Sequence, residues 1–471
     1  MESRELVIVG AGPGGYVAAI KAAQLGLRCT LVERAEVGGT CLNRGCVPTK
    51  SVLHSAEVLA CAREAGRFGV VIPEAAVDFA AVRERAREVV AQIRGGVEQL
   101  LAANGVELVR GEARVAPGPV VHVALPDGAR VSYQARDVIV AAGSAPALPP
   151  IKGLDGPRVM TSDGMLAEVP ALDRLVVIGG GVIGVEFASA YAGFGAEVTV
   201  LEALPRLLPT LDRELGQSLA LALKKRGCAV HAGALVREVR DDGDEAVVTF
   251  ELKGELRDVR ADAVLVATGR RCDVGAVCAD GLELACERGR IVVDECMRTS
   301  APHVRAIGDI AAGGPQLAHA ASAQGIVAVC DVAGVPCEID LSCVPSCVYT
   351  EPEIACVGLS EVEAKEAGMQ VTTEKCLMTG NAKTVIAGMD RGFVKVVATE
   401  GERRIVGAQL LCGRATDLVG ELAVAVANGL TVDEMARVVR AHPTFEEGVG
   451  EALEAFGTGA IHALPKKRRA V

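Results

Sequence analysis

The sequence predicts an α/β protein: two tandem Rossmann-like, doubly wound dinucleotide-binding domains followed by a C-terminal α+β domain. Three features of the 471 residues carry this reading. A glycine-rich turn between an apolar run and a helical stretch occurs twice. An acidic residue follows each turn at the same distance. Beyond about Cys343 the texture changes to strands mixed with short helices.

The first copy begins with the apolar run Leu6-Val7-Ile8-Val9, which reads as a strand entering Gly10-Ala11-Gly12-Pro13-Gly14-Gly15. A helical pattern runs from about Tyr16 to Gln24, and Thr30–Val32 reads as a second strand ending at Glu33. Gly10 makes the turn, Gly12 lets the backbone approach a pyrophosphate at the helix N-terminus, and Gly15 lets helix and strand pack closely. The acid suits a ribose hydroxyl pair. Leu175–Ile178 leads the second copy into Gly179-Gly180-Gly181-Val182-Ile183-Gly184, with a helix to Phe194 and a strand from Val198 to Glu202. Gly10 to Glu33 and Gly179 to Glu202 are both steps of 23 residues. Two copies imply two dinucleotides. Glu202 would repel a 2′-phosphate, so the second site favours NAD over NADP, and Arg206 nearby softens that preference.

Each copy is followed by an apolar strand ending in small residues, Val138–Gly143 and Val264–Gly269. Val304–Asp309 reads as another strand ending in an acid. In the last domain, strands are expected at Phe393–Ala398 and Ile405–Leu411. Helices are expected at Glu361–Ala367, Ala415–Asn428, Val432–Arg437 and Phe445–Ala455.

Composition removes several function classes. Lys and Arg number 49 against 60 Asp and Glu, a net charge of −11, which argues against a phosphate-backbone binder. Only 4 Tyr, 8 Phe and no Trp are available, too few for a base-stacking platform. The longest run free of Asp, Glu, Lys and Arg, Ile310–Cys330, holds Pro315, Gln316, His319 and Gln324, a poor candidate for a helix in lipid. No signal peptide is visible at the N-terminus, so a cytoplasmic protein is expected. The closing Lys466-Lys467-Arg468-Arg469 reads as a solvated tail.

Of 16 cysteines, Cys41 and Cys46 stand out, in Gly38-Gly39-Thr40-Cys41-Leu42-Asn43-Arg44-Gly45-Cys46-Val47-Pro48-Thr49-Lys50. They are expected on a loop that enters a helix near Pro48 (Thr49–Cys61), directly after the first ribose acid. Thiols near a helix N-terminus form thiolates readily, which suits a reversible redox pair. A zinc site and inert structural thiols are the alternatives, and zinc would need ligands from elsewhere. Cys343 and Cys347 read as core residues. Lys50 and Glu186 are each expected in the first turn of a helix, where a surface lysine and a dipole-favoured glutamate are equally good readings. His442-Pro443-Thr444-Phe445-Glu446-Glu447 offers an acid–base pair, His442 with Glu447. A capping box of Thr444 and Glu447 explains the glutamate as well.

These motifs, together with A-T-G-R (267–270), A-I-G-D (306–309) and L-A-H (317–319), stand in the order found in the pyridine nucleotide–disulfide oxidoreductases, which the chain resembles over nearly its whole length. Within that family it is most similar to the dihydrolipoamide-oxidising branch. Another disulfide or mercuric-type reductase is the alternative. The resemblance implies FAD at the first site and NAD at the second. The implied FAD contacts are Gly10, Gly12, Gly15, Glu33, Gly39, Thr40, Lys50, Ala113, Ala142, Gly143, Ser144, Asp309, Gln316, Leu317, Ala318 and His319. Those to NAD are Gly179, Gly181, Val182, Ile183, Gly184, Glu186, Glu202, Val236 and Gly269. Cys41 would be the interchange thiol, Cys46 the thiol at the flavin, with Lys50 beside Glu186. His442, assisted by Glu447, would be the base, acting on the other subunit's disulfide; no metal is implied. The implied domains are 1–148 (FAD-binding, with the redox pair), 149–270 (NAD-binding), 271–342 (a return segment completing the FAD domain) and 343–471 (dimerisation). Implied partners are a second copy of the chain and the lipoyl domains of an E2 acyltransferase or of the glycine cleavage lipoyl protein. Departures from the family pattern are Ala113, in an expected turn at Gly111–Ala113 where Gly is common, Ala320 and Gln324, where Lys and Glu are frequent after L-A-H, and a segment between Glu33 and Cys41 that is a residue short.

Overall fold

Leu6, Val7 and Ile8 are fully buried, as a run apolar on both faces demands of a strand covered by helices on either side. In the computed structural model, which describes residues 1–389, 391–457 and 459–462, this run is the strand Glu2–Val9. The basic run 466–469 lies outside the described residues. The chain divides into two compact units. The first comprises Met1–Asp173, Glu238–Val247 and Ala261–Leu341; the second comprises Arg174–Arg237, Val248–Arg260 and Ser342–Val471.

In the first unit, Glu107–Arg110, Cys29–Glu33, Glu2–Val9, Arg130–Val140 and Val304–Ala306 lie side by side in parallel. Val9 pairs with both Val32 and Val140, and Val140 with Ala306, so these strands end at one level. The turns that leave them, at Gly10, Ala141 and Ile307, therefore open on one edge of the sheet, where α/β folds place ligands. Antiparallel strands Val120–Ala124 and Glu112–Ala116 extend the far side. The helices Pro13–Gln24 and Ala318–Ala333 pack through small residues. A Cβ on Gly325 would stand 2.6 Å from the Gly14 carbonyl oxygen.

In the second unit, Arg174–Ile178, Glu197–Glu202 and Ala229–Ala232 are parallel neighbours, and the helix Val182–Phe194 follows the first. The C-terminal part is a five-stranded antiparallel sheet: Ser346–Val348, Glu353–Gly358, Ile405–Cys412, Phe393–Thr399, Val371–Leu377. Three of these strands, at 346–348, 353–358 and 371–377, were not expected, because short strands with scattered polar residues carry little periodic signal. The helices Ala415–Ala427 and Glu447–Glu454 share that sheet's core, and Cys343 and Cys347 pack against it. Among the described residues, no helix is long and apolar enough to cross a membrane.

Buried charge ties the sheets to their helices. Arg305 donates to Asp137 of the neighbouring strand at 2.9 Å and to Asp331 of the helix Ala318–Ala333 at 2.5 Å, with all three side chains about nine-tenths buried. Burial raises both carboxyls, but hydrogen bonds from Arg305, Arg136 and Arg298 outweigh it, so both sit below the usual aspartate range. Lys395 likewise meets Asp212 at 2.9 Å in the second unit.

Removing one partner of such a network leaves charge buried and unpaired, which costs about 3–5 kcal/mol. Arg305→Met should lower stability by that order in urea unfolding at pH 7. Since folding depresses these carboxyls, their stabilisation is complete above the unfolded value near ~3.9 and is lost as pH falls through the folded values. The wild type should therefore lose more stability between pH 6 and pH 3 than the variant does.

Candidate active site

Both glycine turns are built alike. Gly10 has φ +103°, and its N–H donates to Val32 O at 2.8 Å. Gly179 has φ +113°, and its N–H donates to Leu201 O at 2.8 Å. A Cβ on Gly15 would lie 1.8 Å from Gly10 O, and one on Gly184 would lie 2.0 Å from Gly179 O. The middle glycines differ: a Cβ on Gly12 would meet nothing nearer than 4.0 Å, and one on Gly181 nothing within 4 Å. Gly12 and Gly181 are the N-caps of their helices and offer no capping side chain, so backbone N–H groups and open space face any ligand there. Val182 and Ile183 open the second helix.

The acids do more than expected. Glu33 accepts N–H bonds from Ala11 at 2.6 Å and Ala35 at 2.8 Å, and Glu202 accepts them from Gly180 at 2.5 Å and Leu204 at 2.7 Å. Each carboxylate thus pins its glycine turn to the next strand, and each oxygen keeps a further lone pair for a ribose hydroxyl. Arg206 turns away to donate to Pro209 O at 2.6 Å.

The cysteine segment winds onto the first turn. Gly38, at φ +94°, donates to Ala11 O at 2.7 Å. Gly39, at φ +56°, is so close that a Cβ would stand 2.7 Å from Gly12 Cα. The expected loop is in fact helical. Thr40 and Cys41 lie in a short helix, Gly39–Arg44, and Cys46 is the first residue of the helix Cys46–Glu64, three residues before the expected start at Thr49. Gly45 joins the two, where a Cβ would meet Thr40 O at 2.9 Å. A six-residue helix was illegible because so short a stretch shows no period. The Cys41 and Cys46 thiols are hydrogen-bonded; that bond and burial push the Cys41 thiol up, and the nearby Lys50 ammonium opposes them. Lys50 is the fifth helical residue, one turn beyond Cys46, rather than in the first turn. Among the described residues no three or more His, Cys, Asp or Glu are grouped to hold a metal ion.

A polar cluster stands at the neighbouring strand ends. The Ser144 hydroxyl donates to the Asp309 carboxylate. Arg270 donates from Nε to Ser144 Oγ and from Nη2 to Ser144 O, both at 2.7 Å, and lies 3.7 Å from Asp309. Arg290 holds the Asp309 and Gly314 carbonyls at 2.9 Å. Gln324 accepts the Gly308 N–H at 2.7 Å, so an uncharged amide serves at that position. Sequence reasoning missed Arg270 and Arg290. The A-T-G-R motif contained the first, but nothing local said what it would reach. Ala142 and Gly143 precede Ser144 at this edge. Gln316 and Leu317 lead into the helix that Ala318 and His319 open, and its N-cap again offers no capping side chain. Ala113 is not in a turn: it lies within the strand Glu112–Ala116, paired with Val123, with its side chain in the core.

In the second unit, Glu186 is also a fifth helical residue rather than a first-turn one. It is 3% exposed and accepts the Tyr349 N–H at 3.0 Å, which sets aside the helix-start reading. Val236 is buried in the strand Ala234–Asp241. Gly269 belongs to the first unit, at φ +121°, and its carbonyl accepts the Ala147 N–H.

His442 Nδ1 lies 2.8 Å from Glu447 Oε1, while Oε2 accepts the Thr444 N–H at 2.9 Å. Burial raises the Glu447 carboxyl, but these two bonds outweigh it and hold it below the usual range. A carboxylate can only accept, so Nδ1 carries the hydrogen and Nε2 is left as the basic nitrogen. The Thr444 hydroxyl donates to Ala441 O, so the capping box is only half made. The imidazole is 70% exposed.

The pyridine nucleotide-disulphide oxidoreductase family matches residues 4–325, and the dimerisation domain of that family matches residues 344–453. The chain is 40% identical over 468 residues to the dihydrolipoyl dehydrogenase of Geobacillus stearothermophilus, covering 98% of each chain. It is 38% identical over 464 residues to that of Bacillus subtilis, again covering 98% of each. Among solved structures it is similar to LpdA from Mycobacterium tuberculosis, with TM-score 0.88, 27% identity, and 96% and 100% of the two chains covered. It is also similar to the HOCl-induced flavoprotein disulfide reductase RclA from Escherichia coli, as its Cu(II) complex, with TM-score 0.85, 27% identity, and 97% and 100% covered.

The open and closed glycines separate folding from binding. Gly15→Ala should cost roughly 3 kcal/mol of stability, as overpacking against backbone does. Gly12→Ala, whose backbone at φ −68° suits alanine, should match the wild-type urea midpoint when both are compared as apoprotein, but purify with less than a tenth of the wild-type flavin content.

Proposed function

The chain belongs to the pyridine nucleotide-disulphide oxidoreductases, and on that premise we propose that it oxidises protein-bound dihydrolipoyl groups to the lipoyl disulfide, passing the electrons through FAD to NAD⁺. The observation that carries this reading is the contact between the Cys41 and Cys46 thiols beside Lys50, on a segment wound onto the first glycine turn. The names of the full-length relatives supply the substrate class. Backbone cradles at Gly12 and Gly181 each fit a pyrophosphate, and in the first unit the Ser144–Asp309 pair fits a polyhydroxylated chain.

In the proposed reaction His442 Nε2 takes a proton from one dihydrolipoyl thiol. The thiolate attacks Cys41 Sγ of the disulfide, the Cys41–Cys46 bond breaks, and Cys46 leaves as a thiolate at the positive end of a 19-residue helix. The second substrate thiol attacks the mixed disulfide and releases Cys41, so the substrate leaves as a disulfide and the enzyme holds a dithiol. FAD, held at the Gly12 turn and by Glu33 and the Ser144–Asp309 pair, would supply the two-electron relay through which the electron pair reaches NAD⁺ as hydride. Glu447 keeps His442 in the productive tautomer throughout.

Two copies pair through residues 344–453, with His442 of one protomer serving the cysteine pair of the other. The lipoyl domain of an E2 acyltransferase or the glycine cleavage lipoyl protein brings the substrate. Sixteen cysteines fit a reducing compartment, so we place the reaction in the cytoplasm. The likeness to RclA favours one second reading, a disulfide reductase with a different thiol or metal substrate.

Loss of a general base costs about 10²–10⁴-fold. His442→Gln should slow dihydrolipoamide:NAD⁺ turnover by that factor and leave NADH-to-nicotinamide hydride exchange nearly unchanged. Mixing Cys41→Ser chains with His442→Gln chains should restore activity through heterodimers that hold one intact site. No restoration in confirmed heterodimers would refute the shared site, and wild-type turnover of a nonlipoyl disulfide alone would favour the second reading.

Glu202 generates a separate expectation. Placing a 2′-phosphate against a buried carboxylate costs several kcal/mol, so kcat/KM for NADP⁺ should fall at least about a hundredfold below that for NAD⁺. Equal values in steady-state assays would remove Glu202 from this role.

A further inference from the structure

The arrangement seen at Cys41 and Cys46, one thiol hydrogen-bonded to another, occurs a second time in the first unit. Cys330 lies in the last turn of the helix Ala318–Ala333, and Cys337 lies in the segment that follows. Gly334, at φ +68°, ends the helix, and the Val335 N–H returns to the Cys330 carbonyl at 3.0 Å. This left-handed cap reverses the chain, so that Cys337, seven residues on in sequence, comes back over the helix end. The two thiols are in hydrogen-bond contact. Cys330 is buried, with 4% of its surface exposed, whereas Cys337 is exposed.

We propose that Cys330 and Cys337 form a second redox couple, with Cys337 as the attacking thiol and Cys330 as the resolving one. The asymmetry of exposure assigns the roles. A small disulfide from solution reaches Cys337 only. The Cys337 thiolate attacks one of its sulfurs, forming a mixed disulfide and releasing one small thiol. Cys330 then attacks Cys337 Sγ, forming the Cys330–Cys337 bond and releasing the second small thiol. The protein pair gives up two electrons, the small disulfide takes them, and the two cysteine protons pass to the released thiols. Burial and the neighbouring Cys337 thiol raise Cys330, while Lys21 on the adjoining helix Pro13–Gln24 opposes them.

The position gives the bond a consequence. Asp331, next to Cys330, is the carboxylate that Arg298 and Arg305 share. Closing the disulfide would clamp the 334–337 turn onto that anchored helix end, at the opposite end of the helix from Ala318 and His319. Nothing in the reaction proposed above uses either thiol, so this inference stands apart from that reading.

The sequence allows a clean test on the full-length holoenzyme. Cleavage before aspartate yields Asp309–Cys330 and Asp331–Ile339, each with a single cysteine. Protein equilibrated in oxidised glutathione, quenched with N-ethylmaleimide and digested in this way should show the two fragments joined. Dithiothreitol should separate them, and Cys337→Ser should lack the joined species while keeping wild-type dihydrolipoamide turnover. Cys330→Ser should instead trap glutathione on Cys337. If both cysteines of the wild type take up N-ethylmaleimide after oxidised glutathione, or if glutathione accumulates on wild-type Cys337 without the joined fragment, the couple does not exist.

Discussion

Two glycines in backbone-to-backbone contact set the geometry of the first unit. The Gly15 Cα faces the Gly10 carbonyl so closely that a methyl group would sit 1.8 Å from the oxygen, and the second unit repeats the contact at Gly184 and Gly179. This contact fixes how close the first helix comes to its strand, and so where the helix N-terminus points. Gly12 then lies at the surface of the turn, and Gly39 rests against it. The short helix carrying Cys41 starts at Gly39, and Gly45 lets the helix of Cys46 begin against it. A backbone constraint at residues 10–15 thereby reaches the thiols some thirty residues later, through glycine contacts alone.

Charge is placed with the same economy. Glu33 and Glu202 would be costly at under a tenth exposed if they lacked donors. Each takes two backbone N–H groups, which stiffens the turn it belongs to. Arg270 plays the complementary part. It holds Ser144 by two bonds and stands near Asp309, so the serine hydroxyl and the carboxylate are already oriented at the strand ends. At His442 a single carboxylate does two jobs, since Glu447 fixes the imidazole tautomer with one oxygen and the chain reversal at Thr444 with the other.

The doubled dinucleotide fold, the ends of its strands and the thiol pair worth testing were all legible along the chain. Those features rest on residues close together in sequence: a left-handed φ only glycine tolerates, an apolar run, an acid at the end of the next strand. Such constraints are local, so a linear reading finds them. Other features arose only when distant segments packed. Packing wound the cysteine segment into a short helix and the start of a long one, moved Ala113 from an expected turn into a strand, and buried Glu186 against the Tyr349 backbone. It also brought Arg270 to Ser144, 126 residues away, and Arg305 to Asp137, 168 residues away. Strand order and level create those meetings, and no periodicity in a single segment encodes which distant side chain the next strand will present. The turn at Gly334 returns Cys337 to Cys330 for a related reason: the glycine is visible in the sequence, but the direction in which it sends the chain is settled by packing.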